Sequence, residues 1–110
     1  MKIDVIARHF DVSEKTKDYA SNEVKRLTKL FDRITKCKVI MEREKNDYHV
    51  EINLDVPGDF LVAKETSDEL MKSIDNVVKK MLKQLDRYRG KHNKKNHASN
   101  KEFIIENEEY

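Results

Sequence analysis

Between His49 and Val56 the chain alternates without interruption. Val50, Ile52, Leu54 and Val56 point one way, and His49, Glu51, Asn53 and Asp55 point the other. A strict period of two marks a β-strand with one face packed and one face in water. A sheet built around such a strand can be covered on one side only. Every helix in the chain must therefore pack on that side. Pro57-Gly58 ends the strand in a tight turn, because Pro presets its own backbone angle and Gly accepts the positive angle that follows.

Further strands flank this one. Cys37, Val39 and Met41 alternate with Lys38, Ile40 and Glu42, and Asn46-Asp47 is a turn signal. After the Pro-Gly turn, Phe60, Val62 and Lys64 alternate with Leu61 and Ala63. Ile3, Val5 and Ala7 place a first strand at about residues 2–8. Ser13 is a helix N-cap, opening a helix that runs to Phe31 and buries Ala20, Val24, Leu27 and Phe31. The longest periodic stretch, Asp68 to Lys95, sets Leu70, Ile74, Val77, Val78, Met81, Leu85 and Tyr88 in one apolar stripe, with Thr66 or Ser67 as its cap.

The predicted fold is therefore α+β, in the order β-α-β-β-β-α. A right-handed crossover joins the first two strands and a meander joins the rest. The four-stranded sheet carries two helices packed side by side on one face, as in double-stranded-RNA-binding domains. The 110 residues suffice for one domain with one modest core. After Gly90 the apolar pattern stops. Residues 1–90 read as the folded domain and 91–110 as a flexible tail, first basic and then acidic, with a small apolar cluster at Phe103–Ile105. The lone cysteine, Cys37, alternates with core residues and reads as a packed thiol in a reducing cytosol. No stretch approaches the ~18 apolar residues of a membrane span, and no apolar signal region precedes the first strand. The expectation is a soluble cytoplasmic protein.

Charge distribution narrows the function. From Lys79 to Lys95 there are eight Lys or Arg and one acid, Asp86. Lys72, Lys79, Lys80, Lys83 and Arg87 lie opposite the apolar stripe of the last helix, and Lys25, Arg26 and Lys29 lie opposite that of the first. With both stripes turned to one sheet, these cations join in a broad outward patch. Concentrated like charge costs stability, whereas a solvated face ordinarily mixes both signs. The patch therefore points to a polyanion, most simply the phosphates of a nucleic acid. Glu42, Glu44, Glu51 and Asp55 predict an acidic open sheet, hence a negative sheet opposed to positive helices. That face offers no aromatic pair for base stacking, so phosphate and shape recognition are expected. No enzyme is indicated. Only Gly58 and Gly90 are available for a phosphate loop, His92 and His97 form no ligand spacing, and His9 and His49 are isolated. No cofactor, metal or small-molecule substrate is implied. The alternatives are a general double-stranded-RNA-binding domain, or a protein-interaction module using the acidic sheet or the Phe103–Ile105 cluster.

The stretch from Glu69 to Lys91 resembles the second helix of the ribosome hibernation promoting factors, the family that includes ribosome-associated inhibitor A. Asp11-Val-Ser13, Lys29-Leu-Phe-Asp-Arg-Ile34 and Val56-Pro-Gly-Asp-Phe-Leu-Val-Ala63 support the resemblance, which covers about residues 1–92. It implies the same fold, and a bacterial protein of resting or stressed, stationary-phase cells that regulates translation. Such proteins bind ribosomal RNA of the small ribosomal subunit and block the mRNA and tRNA channel sterically. By position it implies RNA contacts at Lys25, Arg26, Lys29, Lys79, Lys80, Lys83, Arg87, Arg89 and Lys91. It further implies no cofactor, no membrane and a protein that is monomeric off the ribosome. The chain looks like a short form, without the extra dimerisation domain of long members. Met71 stands where the family often has Tyr.

Overall fold

A computed structural model describes residues 1–92. The elements are β1 (Lys2–Arg8), α1 (Glu14–Val24), α2 (Arg26–Leu30), β2 (Lys36–Glu44), β3 (Asp47–Val56), β4 (Asp59–Ser67) and α3 (Leu70–His92). They build one sheet in the order β1-β2-β3-β4. β1 runs parallel to β2, and the other neighbours are antiparallel. This is the expected α+β topology. The tail, its Phe103–Ile105 cluster and His97 lie outside the described residues.

The alternation of β3 decides which face is covered. Val50, Ile52, Leu54 and Val56 are all buried, in register with Met41, Val39 and Cys37 of β2 on one side and with Ala63 and Leu61 of β4 on the other. Ala20, Val24, Leu27, Ile74, Val77, Val78, Met81 and Leu85 close the core from above. Each fully buried aliphatic side chain contributes roughly 1.5–3 kcal/mol, so this one layer carries most of the stability.

The first helix differs from the continuous Ser13–Phe31 segment expected. It turns at Lys25, which has φ −64° and ψ −19° and separates α1 from α2. The Thr28 amide donates to the Lys25 carbonyl at 3.1 Å, and the Thr28 hydroxyl donates to the same oxygen at 2.6 Å. A hydroxyl reaching back three residues competes with the regular ladder and tightens the turn. The buried stripe survives the break, since Ala20, Val24, Leu27 and Phe31 all remain in the core. At the start of α1, Ser13 accepts from the Thr16 amide at 3.1 Å, as its cap role requires.

The β2–β3 turn sits one residue earlier than Asn46-Asp47. Lys45 takes the left-handed backbone, φ 57°, and Asp47 already belongs to β3. Gly58 has φ 76°, as the Pro-Gly turn demands. Both candidate caps for the last helix, Thr66 and Ser67, fall at the end of β4, and the Ser67 hydroxyl accepts from the Glu69 amide at 3.2 Å in the turn just ahead of α3.

Hydroxyls fix α3 at both ends of β3. Buried Ser73 donates to the Tyr48 carbonyl at 2.8 Å, and Tyr88 donates to the Pro57 carbonyl at 2.5 Å. Along its flank, Lys80 donates to the Lys64 carbonyl at 3.1 Å and Gln84 to the Val62 carbonyl at 2.9 Å. These are alternate carbonyls of β4 on the free edge of the sheet. One turn of α3 thus covers an edge that would otherwise be open to strand addition. Two substitutions test this packing in urea titrations. Leu85→Ala should lower unfolding free energy by about 3 kcal/mol, and Tyr88→Phe, which keeps the ring and loses one hydrogen bond, by about 1 kcal/mol.

Candidate nucleic-acid interface

The cations expected to bind RNA are carried by α1, α2 and α3, so the relative placement of these helices defines the site. Near one end, the Tyr19 hydroxyl donates to Asp75 Oδ1 at 2.5 Å. Near the other, Phe31 meets Tyr88 edge-on, ring centroids 5.3 Å apart at 88°. Residue numbers rise together at both contacts, so α1–α2 and α3 run side by side in the same direction. Both bury their apolar stripes in the sheet and turn their polar stripes outward together.

Lys25 and Lys29 stand exposed on the outer surface of the first helical segment, and Lys79 and Lys83 stand exposed along α3. Among the described residues, Lys25, Lys29 and Lys79 make no ion pair. Lys72, about two turns before the expected contacts on α3, is exposed on the same side. Arg87 is half-buried. The side chain of Lys91 lies outside the described residues.

The remaining three cations are engaged within the fold. Arg26 Nη1 lies 3.1 Å from Glu23 Oε1, and Arg89 Nη2 lies 2.8 Å from Asp86 Oδ1. Lys80 lies 3.4 Å from Glu65 Oε2 in addition to its bond to the β4 edge. Pairs at this exposure are worth about 0–1 kcal/mol. A phosphate can therefore compete for the two arginines. Lys80, bound twice at the sheet edge, lies to one side of the outward surface.

The structure also reveals carboxylates that the helical wheel does not single out. Asp75 and Asp86 fall on the stripe of α3 that faces the first helix, about three turns apart, and Glu23 sits with Arg26. The two basic surfaces are therefore separated by a narrow polar seam. Tyr19 ties the seam together near one end. The hydrogen bond to Asp75, then burial, then the negative charge of Asp75 push the phenol up to about 12 from 10.0. No local pattern announces this tie, because its partners are 56 positions apart.

The open face of the sheet is not acidic, contrary to the expectation from Glu42, Glu44, Glu51 and Asp55. Lys36 pairs with Asp4 at 3.8 Å and Lys64 with Glu51 at 3.9 Å, Arg8 is in register with Glu42, and the rings of His9 and His49 lie 3.0 and 3.2 Å from Glu42 and Glu44. Asp55 is in register with Lys36. The acids of one strand face the bases of the next, so the face is balanced. The expected opposition of a negative sheet to positive helices reduces to a neutral sheet beneath positive helices. Cys37 is fully buried, and burial pushes its thiol up to about 12, which keeps it protonated and inert.

Comparison with known proteins agrees with the fold. The family model described as Sigma 54 modulation protein / S30EA ribosomal protein matches residues 3–93. A ribosome hibernation promoting factor of Azotobacter vinelandii is 32% identical over 91 residues, covering 83% of this chain and 85% of that protein. One of Pseudomonas putida is 31% identical over 91 residues, covering 83% and 89%. The structure of a ribosomal subunit interface protein from Coxiella burnetii superposes with a TM-score of 0.77 at 25% identity, covering 81% of this chain and 98% of that one.

The seam makes a pH prediction. Tyr19 has a folded pKa above its ordinary value, so its contribution to stability is complete below pH 10 and is lost as pH rises through about 12. Ultraviolet titration should show a tyrosine that ionises near pH 12 and disappears in Tyr19→Phe. Between pH 10 and 12, the wild type should lose more stability than that variant.

Proposed function

The chain belongs to the Sigma 54 modulation protein / S30EA ribosomal protein family, and on that premise we propose that it is a ribosome hibernation factor. Residues 1–90 form its ribosome-binding unit, with 91–110 as an appended tail. It acts without catalysis, as a monomer in the bacterial cytoplasm, in resting or stressed cells. Its target is the small ribosomal subunit, and its effect is to occupy space that mRNA and tRNA require.

One observation carries this reading. Parallel helices on a single sheet face hold Lys25, Lys29, Lys79 and Lys83 outward together, over a sheet whose own charges are balanced. Such a surface attracts phosphates and reads no base edge directly. Recognition then rests on the fit of a rigid body, 46 × 29 × 20 Å, to a folded RNA surface. Occlusion needs no further chemistry, since a tightly held body excludes whatever would occupy the same volume. A general double-stranded-RNA binder would share the cations, but it would hold free duplex RNA as firmly as ribosomes.

The triple variant Lys25→Glu, Lys29→Glu, Lys79→Glu tests the surface. Sedimentation with small subunits should show affinity reduced at least ~100-fold, and a flatter dependence on salt, since each phosphate contact contributes roughly 0.7–0.9 to the logarithmic slope. Undiminished co-sedimentation by a variant with native circular dichroism would reject this face as the interface. Competition by free duplex RNA at equal concentration would instead favour the general binder.

A further inference from the structure

Arg33 lies in the loop between α2 and β2, where no helical or strand period marks it. Its guanidinium carbon sits 5.1 Å from the centroid of the Phe31 ring. That ring is 7% exposed and is itself held edge-on by Tyr88, whose hydroxyl bonds to the Pro57 carbonyl. Three segments are thus locked together at one pole of the molecule: the α2–β2 loop, the last turns of α3 and the β3–β4 turn. Arg33 caps the assembly from outside and is exposed.

The surroundings of this guanidinium distinguish it from the other arginines in close contacts. Arg26 and Arg89 donate to Glu23 and Asp86. Arg43, also stacked over a ring, sits 5.6 Å from the centroid of Tyr48 and donates its Nε to the Lys45 carbonyl. Arg33 makes no ion pair or hydrogen bond among the described residues, and its neighbour Asp32 is exposed in the same loop. Stacking engages the flat face of a guanidinium and leaves its N–H edge unused. An arginine oriented in this way loses less freedom when it meets a phosphate than one on a flexible stem. Lys29, in the last turn of α2, and Arg87 and Arg89, in the last turns of α3, flank the same pole.

We propose that Arg33 is a phosphate-binding residue of the RNA interface, stacked in advance on Phe31 so that the cationic surface continues from the helices onto the pole formed by the α2–β2 loop and the end of α3. The inference rests on the ribosome-binding function proposed above and adds a contact to it. Phe31 and Tyr88 serve as its positioning residues.

Binding to isolated small subunits should be measured across a salt series for wild type, Arg33→Ala and Arg33→Lys, with thermal melts of each. Arg33→Ala should bind about tenfold more weakly, and its logarithmic salt slope should fall by about one. Arg33→Lys keeps the charge and loses the planar stack, so it should restore the slope but only part of the affinity. If Arg33→Ala matches wild type in affinity and slope, Arg33 is not a contact, while the wider interface stands. If affinity falls with the slope unchanged, Arg33 acts only through the fold, and the assignment is equally overturned. Failure of the wild type itself to bind would remove both this contact and the function it serves.

Discussion

A sheet that can be covered on only one face governs the rest of this molecule. The inward residues of β3 are buried, and its outward residues meet charged partners across the strands. With the far side committed to water, both helical segments must share the near side. Two amphipathic helices on one face necessarily turn their polar stripes in the same direction. The convergence of Lys25, Lys29, Lys79 and Lys83 thus follows from where apolar surface can be hidden, before any partner is considered.

That convergence has an electrostatic cost, and the fold limits it locally. Arg26, Arg89 and Lys80 each sit against a carboxylate. The seam between the helices places Asp75 beneath the Tyr19 hydroxyl. These contacts are weak enough for phosphates to displace, yet they temper repulsion in the unbound state. Charge without such partners remains on Lys25, Lys29 and Lys79 among the described residues, where a polyanion would arrive first. Lys80 illustrates a second demand on the same helix, because covering the free edge of β4 draws one cation away from the outward surface.

The register of α3 is held by contacts of a different kind. Ser73 and Tyr88 bond to backbone carbonyls at the two ends of β3, so the helix can neither slide nor roll far along the sheet. A surface that recognises shape depends on that fixity more than on any single charge. Membership of a family of ribosome-associated proteins accords with a rigid platform of this sort. Phe31 extends the same logic to the pole, where one ring joins the first helical segment to α3 and supports Arg33.

Much of this was written in local pattern. The alternation of residues 49–56 dictated a half-covered sheet, and the stripes through Ala20–Phe31 and Leu70–Tyr88 dictated which helix faces descend onto it, because periodicity reports burial directly. Pro57-Gly58 dictated its own turn, since only certain residues accept those backbone angles. What escaped local pattern depends on contacts between distant positions. The break at Lys25 arises from one hydroxyl competing for one carbonyl. The neutral open face arises from strand pairing, which sets Glu51 opposite Lys64 and Asp4 diagonally within reach of Lys36 although each strand alone shows no such pairing. The Tyr19–Asp75 seam, the diversion of Lys80 to the sheet edge and the stacking of Arg33 exist only once separate segments are brought together. Charge and periodicity along a chain determine which faces form, but three-dimensional packing alone decides which charges meet.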